Sequence, residues 1–288
     1  MKKKKKITPD RELAVKNLQK SILEGSRKKK DEQFPMRINR YLAVCGLGSR
    51  RQVESYVTRG RVSLNGKKIS GLDAKVNFND TVQVDGKTIR FDGVFTYLAM
   101  NKPPGYTVSK RRFKNDRTIY ELLDETQHHV KYAGRLDRDS RGLLILSDDG
   151  NFITAVTHPS RRITKKYHVT VDHLTEMNEI QREFSRGIYD EGELLKAVRV
   201  RILDKEKKII EVVLGEGKKR QLRRMFRALG MKIIDLYRVS VGFLSLENLK
   251  IQEGQTAAFN PDHLLYGSGT DQGNDSEILK NFNPWEKI

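Results

Sequence analysis

The spacing of apolar residues divides the chain into stretches of two different periods. Between residues 36 and 90 the period is first helical. Ile38, Tyr41 and Leu42 share one helical face, and Val53, Tyr56 and Val57 share another. The second helix follows Ser49-Arg50-Arg51-Gln52, a capping box in which Ser49 bonds the third amide and Gln52 reaches back. Gly60 ends it. The period then drops to two in Arg61-Val62-Ser63-Leu64, and Asn65-Gly66 predicts a tight hairpin into Lys67-Lys68-Ile69. Thr81-Val82-Gln83-Val84 and Lys87-Thr88-Ile89 form a second such pair around Asp85-Gly86.

From Phe95 the pattern changes. Tyr97-Leu98-Ala99-Met100 predicts a strand that stops at Asn101-Lys102-Pro103-Pro104-Gly105. Short helices are predicted at Ile119–Leu123 and Phe152–Val156, and a longer one after Thr175 carries Met177, Ile180 and Phe184. Strands are predicted at 165–171, 198–203 and 209–214. The fold class is therefore α+β, with a small helix-and-hairpin module followed by a core of mainly antiparallel strands. The expected organisation is a basic extension over 1–35, the small module over 36–92, the larger domain over 93–262 and a polar tail over 263–288. In the extension, Thr8-Pro9-Asp10 starts a helix with Ala14, Leu18 and Ile22 on one face. In the tail, Gly267–Gly273 is glycine-rich, but it follows no strand and opens no helix, so it reads as a linker.

Composition narrows the partner. Of 288 residues 37% are hydrophobic, and the formal net charge is +19 with a pI near 9.9. Such an excess of Lys and Arg calls for a polyanion, with nucleic acid first and an acidic membrane surface second. No apolar run is long enough to span a bilayer, and Met1–Ile7 lacks the apolar stretch of a signal peptide. Cys45 is the single cysteine, which excludes an internal disulfide, and no Cys/His cluster has metal-ligand spacing. A cytoplasmic monomer that needs no metal or cofactor is expected.

Two runs carry candidate chemistry. In Gly134-Arg135-Leu136-Asp137-Arg138-Asp139-Ser140-Arg141-Gly142, a carboxylate and arginines precede the apolar run Leu143–Leu146. A positively charged neighbour favours the ionised form of a carboxylate, which can then serve as nucleophile or base. An anonymous Asp near Arg is more often a turn cap, so the wider context decides. In Gly215–Gly230, Leu222, Met225, Phe226 and Leu229 fall on one helical face, and Arg220, Arg223, Arg224 and Arg227 fall on the other with no carboxylate between them. That face is expected to meet RNA phosphates or a buried carboxylate.

Taken together these runs resemble the small-ribosomal-subunit-type family of ribosomal RNA pseudouridine synthases, over residues 36 to about 260. The matching parts are Asn101–Gly105, Gly134–Asp137, His158-Pro159-Ser160, Lys165-Lys166-Tyr167 and Gly217–Gly230. The first module resembles an S4 RNA-binding domain. The resemblance implies a catalytic set of Asp137, Tyr167 and Arg223, in which Tyr167 packs on the target base and assists at its C5 position and Arg223 pairs with Asp137. It also implies that Leu222 lines the pocket and that Arg135 fills the gap left by the flipped nucleotide. Ser140 stands where the family usually has Thr. Arg37, Arg40, Arg50, Arg51, Lys68, Lys102, Arg220, Arg224 and Arg227 are expected to contact RNA. The implied partner is ribosomal RNA or a ribosomal precursor particle, with large-subunit RNA slightly favoured. The competing reading is a non-catalytic S4-bearing assembly factor, which the retention of Asp137, Tyr167 and Arg223 together disfavours. An S4-bearing methyltransferase would require a glycine-rich loop after a parallel strand, and none is evident.

Overall fold

A computed structural model describes residues 34–91, 95–112 and 116–266. The helix expected after Thr8 and the polar segment from Gly267 lie outside the described residues. The chain divides into two compact units, residues 1–95 and 96–288.

In the first unit, β1 (Met36–Arg37) leads into α1 (Ile38–Val44) and α2 (Arg50–Thr58). Both halves of the capping box form. Ser49 Oγ accepts from the Gln52 amide at 3.3 Å, and Gln52 Oε1 accepts from the Ser49 amide at 2.8 Å. Ile38, Leu42, Val53 and Val57 are buried between the helices and the strands. β2 (Val62–Leu64), β3 (Lys67–Ile69), β5 (Val82–Val84) and β6 (Lys87–Ile89) make a sheet in the order β3-β2-β5-β6, and β4 (Lys75–Val76) pairs with β1. Asn65 and Gly66 have φ of 49° and 79°, and Asp85 and Gly86 have 51° and 78°. These are the left-handed pairs that two-residue hairpins need.

The second unit is built on a nine-stranded sheet. Its path runs β13 (Arg199–Asp204), β14 (Ile209–Leu214), β10 (Lys165–Val171), β15 (Ile233–Val241), β9 (Arg141–Ser147), β7 (Tyr97–Lys102), β17 (Thr256–Ala258). β8 (Lys131–Ala133) pairs with β9, and β16 (Leu244–Ser245) pairs with β15. Pairing is antiparallel except between β15 and β9. There the backbones come so close that a Cβ on Gly142, at φ +109°, would collide with the Arg238 carbonyl.

The helices are α3 (Gly150–Thr157), α4 (Met177–Arg186), α5 (Gln221–Ala228), α6 (Leu246–Leu249) and α7 (Pro261–Tyr266). α4 and α5 bury Ile180, Phe184, Leu222, Met225 and Phe226 in a core shared with Leu144, Leu146, Val169 and Val212 from the sheet. The Phe184 and Phe226 rings meet edge to face at 5.0 Å. Truncating a buried ring of this kind costs about 3–5 kcal/mol, so α5 is firmly seated. α7 runs to Tyr266 and buries Leu264 and Leu265.

Candidate active site

The loop 134–140, between β8 and β9, carries Asp137 and is fastened from beneath. The Lys102 side chain is fully buried at the end of β7. Its ammonium donates to the carbonyls of Ser140 at 2.7 Å, Pro103 at 2.9 Å and Arg138 at 3.1 Å. Gly105 N–H donates to the same Arg138 carbonyl at 2.8 Å. Desolvation pushes the Lys102 amine down to about 8. The Pro-Pro-Gly turn that stops β7 thus brings its flank under the carboxylate-bearing loop, and Ser140 N–H closes a turn onto the Asp137 carbonyl at 3.1 Å.

The opposite wall is α5. Arg223 Nε donates to Asp137 Oδ2 at 3.2 Å, and Arg223 Nη2 reaches Ser140 Oγ at 3.3 Å. Arg220 Nη1 lies 3.7 Å from the same carboxylate oxygen. Arg220 precedes the helix in a left-handed conformation (φ 50°, ψ 32°), a strained state for a side-chain-bearing residue. Gln221 anchors that turn. Its amide donates to Lys196 O and Glu216 Oε1, and its own oxygen accepts from Lys218 N–H. Two guanidinium groups therefore converge on one carboxylate from one helix end.

A cavity of about 280 Å³ opens beside this pair. Arg135 and Asp137 line it from the loop, Tyr167 and Lys165 from β10, Leu222 from α5 and Arg238 from β15. A register shift between Lys166 and Tyr167 sets Tyr167 opposite Arg238, the kind of bulge that re-aims side chains near active sites. A half-exposed carboxylate between two arginines, over a pocket with an aromatic wall, suits acid–base or nucleophilic chemistry on a flat ring.

Residues 96–228 match the family model for RNA pseudouridylate synthase. The chain is 34% identical over 218 residues to ribosomal large subunit pseudouridine synthase B of Bacillus subtilis (strain 168), covering 74% of this chain and 88% of that protein. The chain belongs to the RNA pseudouridine synthases. This synthase is also 28% identical to ribosomal small subunit pseudouridine synthase A of Yersinia pestis, covering 74% of this chain and 90% of the relative. A crystal structure of a pseudouridylate synthase superposes with a TM-score of 0.57 and 27% identity, over 80% of this chain and 98% of the other. The protein is therefore an isomerase, and it shares the fold of that structure over the part of the chain that superposes.

Several residues of the synthase stand where the sequence did not lead us to expect them. Lys102, expected on the RNA surface, is buried beneath the Asp137 loop. Arg224, also expected on that surface, is buried as well. Its Nε lies 2.5 Å from Asp190 Oδ2 and its Nη1 2.6 Å from Glu193 Oε2. Those carboxylates come from the hairpin of β11 (Ile188–Asp190) and β12 (Glu193–Leu195), so α5 does have acidic partners, supplied from outside the helix. Arg227 joins the same cluster at 3.3 Å from Asp190, and Arg224 holds the Asp190 carboxyl below the usual carboxylate range. Arg138 pairs with Asp116 rather than Asp137. In the first unit Arg37, Arg50, Arg51 and Lys68 are exposed and Arg40 is half-buried. Arg238 went unrecognised in the sequence. The visible signal was an arginine interrupting the apolar alternation of Ile233–Val241.

Proposed function

We propose that this synthase isomerises a specific uridine of ribosomal RNA, presented as free RNA or in a ribosomal precursor particle, with Asp137 acting on a nucleotide flipped out of its stack. The observation that carries the reading is the pairing of Asp137 with Arg223 at the mouth of the cavity. In the reaction the C1′–N1 bond breaks, the uracil turns, and C5 joins C1′; a proton leaves C5 and N1 gains one. Nothing is oxidised and no group is donated. Asp137 has two routes open to it, attack on the uracil ring or removal of a ribose proton that helps expel the uracil, and both need the anion that Arg223 and Arg220 face. Flipping a base costs a few kcal/mol in a duplex. Stacking on Tyr167 recovers about 1–3 kcal/mol of that, Leu222 closes the pocket, and Arg135 fills the vacated space.

Large-subunit RNA is the favoured substrate, supported by the Arg-Arg-Met-Phe sequence of α5 and by the higher identity to the large-subunit relative. The first unit serves as an S4-type RNA-binding domain, a reading supported by its capped helix, its paired hairpins and the exposed Arg50, Arg51 and Lys68. The test is to map pseudouridines in both ribosomal RNAs with and without the gene, and with the gene carrying Asp137→Asn. One large-subunit site that vanishes in both defective strains supports the proposal. No lost site in ribosomal RNA refutes it.

A further inference from the structure

Arg238 and Lys165 place positive charge in the cavity with no carboxylate paired to either among the described residues. Arg238 is 2% exposed. Its Nε donates to the Leu143 carbonyl at 2.7 Å, while its buried Nη2 has no hydrogen-bond partner among the described residues. Among the described residues Lys165 Nζ donates to the Ile163 carbonyl alone, at 2.9 Å. The cavity's carboxylates are engaged elsewhere. Asp137 faces Arg223 and Arg220, and Glu216 is held by Lys218 and Gln221. An unpaired buried cation is costly, and one that lines a substrate pocket invites an anion.

Resting on the reading of this cavity as the uridine pocket, the geometry points to Lys165, backed by Arg238, as a catalytic residue that donates to a carbonyl oxygen of the flipped uracil and stabilises the negative charge left on the ring when C1′–N1 breaks. The electron pair of that bond leaves with N1 and spreads over the ring oxygens. It returns when C5 bonds to C1′ and the C5 proton departs. Lys165 stays protonated throughout and keeps its proton. Lys165 lies on β10 two residues from Tyr167, so one strand supplies both the stacking face and the cation.

Burial and the nearby Arg238 hold the Lys165 amine down at about 8. The other charged groups lining the cavity around it are Asp137 and Arg135 from the loop, Arg223 from α5, and Glu216, Lys218 and Arg220 from the segment before α5. Below about pH 8 the amine is charged; above it the charge and its contribution are lost. Lys102 titrates in the same range in every variant, so a substitution at Lys165 isolates its share.

The experiment is single-turnover conversion of uridine in an RNA substrate by the full chain and by Lys165→Met and Lys165→Arg. Lys165→Met is expected to lower the chemical rate by about 10²–10³-fold, the scale of losing one oxyanion donor, with RNA affinity retained. Lys165→Arg is expected to recover much of the rate and to extend activity to higher pH than the parent. A substrate bearing 5-fluorouridine supplies the readout that a folding defect would not move. Fluorine stabilises the departing anion, so the Lys165→Met deficit in glycosidic cleavage should shrink. A Lys165→Met rate within about threefold of the parent, no recovery by Lys165→Arg, or equal deficits on the two substrates each overturn the inference. Asp137→Asn separates this from the parent reading: an active Asp137→Asn enzyme would remove the uridine-pocket assignment itself, whatever Lys165 does.

Discussion

Arg223 Nε donates to Asp137 Oδ2 across 3.2 Å, joining α5 to a loop 86 residues earlier in the chain. The next residue, Arg224, points the other way into the Asp190–Glu193 hairpin. Adjacent arginines of one helix therefore hold opposite walls, one at the pocket and one in the scaffold.

Replacing Asp137 by Asn keeps the shape and removes the charge. The expected outcome is unchanged RNA affinity with a chemical rate lowered by more than about 10⁴-fold, as when a reacting group is removed from other enzymes. Single-turnover conversion of uridine measures it. A rate within about tenfold of the parent would show that the carboxylate takes no part in the chemistry.

Arg223→Ala and Arg224→Ala should separate cleanly. Arg223→Ala is expected to slow the chemical step by about 10²-fold or more with little effect on the melting temperature. Arg224→Ala takes this partner from Glu193, leaves Asp190 with Arg227, and is expected to lower the melting temperature, with the dependence of RNA affinity on salt unchanged. Binding titrations over a range of salt, paired with thermal melts, decide the matter. If Arg224→Ala flattens the salt slope by about one unit, its guanidinium contacts phosphate and the assignment to the scaffold fails.

The helices and hairpins of the first unit were legible in the sequence because each is specified locally. Ser49 and Gln52 cap their own helix, and Asn65-Gly66 and Asp85-Gly86 turn their own strands. The meeting of Asp137 with Arg223 was accessible through motif resemblance, since no local pattern links residues so far apart. What stayed hidden depends on partners from distant strands. β15 was not anticipated, because Asp235 and Arg238 break its apolar alternation. Asp235 pairs with Arg141 at 2.8 Å and Arg238 bonds the Leu143 carbonyl, so both interruptions serve the neighbouring β9. Lys102 was misread for the same reason. A lysine after an apolar strand usually reaches solvent, and two of the three carbonyls that capture this one come from a loop more than 30 residues away.

Lys102 also makes stability depend on pH. In the unfolded chain its amine titrates near 10.5, and in the folded unit near 8. Between those values the unfolded chain holds the extra proton, so stability rises as pH climbs through this window. Lys165 contributes in the same direction. Tyr97 and Tyr120 oppose it at higher pH, because burial raises both phenols and the unfolded tyrosines, near 10, ionise first. Urea unfolding at about pH 7.5 and about pH 9.5 should show a gain for the parent chain and a smaller gain for Lys102→Met. The variant should also be weaker at the lower pH by about 1–3 kcal/mol, since buried carbonyls lose their donor. Identical gains in the two proteins would mean that the Lys102 amine is not desolvated.

Arg50 and Arg51 occupy the first turn of α2, exposed and directly after the Ser49 cap. Phosphate contacts give affinity that falls with salt and carry little sequence information. If the first unit tracks the RNA backbone, Arg50→Ala combined with Arg51→Ala should weaken ribosomal RNA binding and reduce the slope of log affinity against log salt by about two units, one per contact. The rate on saturating RNA should hold, because the Asp137 loop, α5 and the cavity all belong to the second unit. The capping box uses the Ser49 and Gln52 side chains, not those of the arginines, so the melting temperature of the variant should match the parent. Alanine also favours the helix over arginine slightly. An unchanged slope with unchanged affinity would assign RNA binding to the second unit and leave the first unit with a different partner.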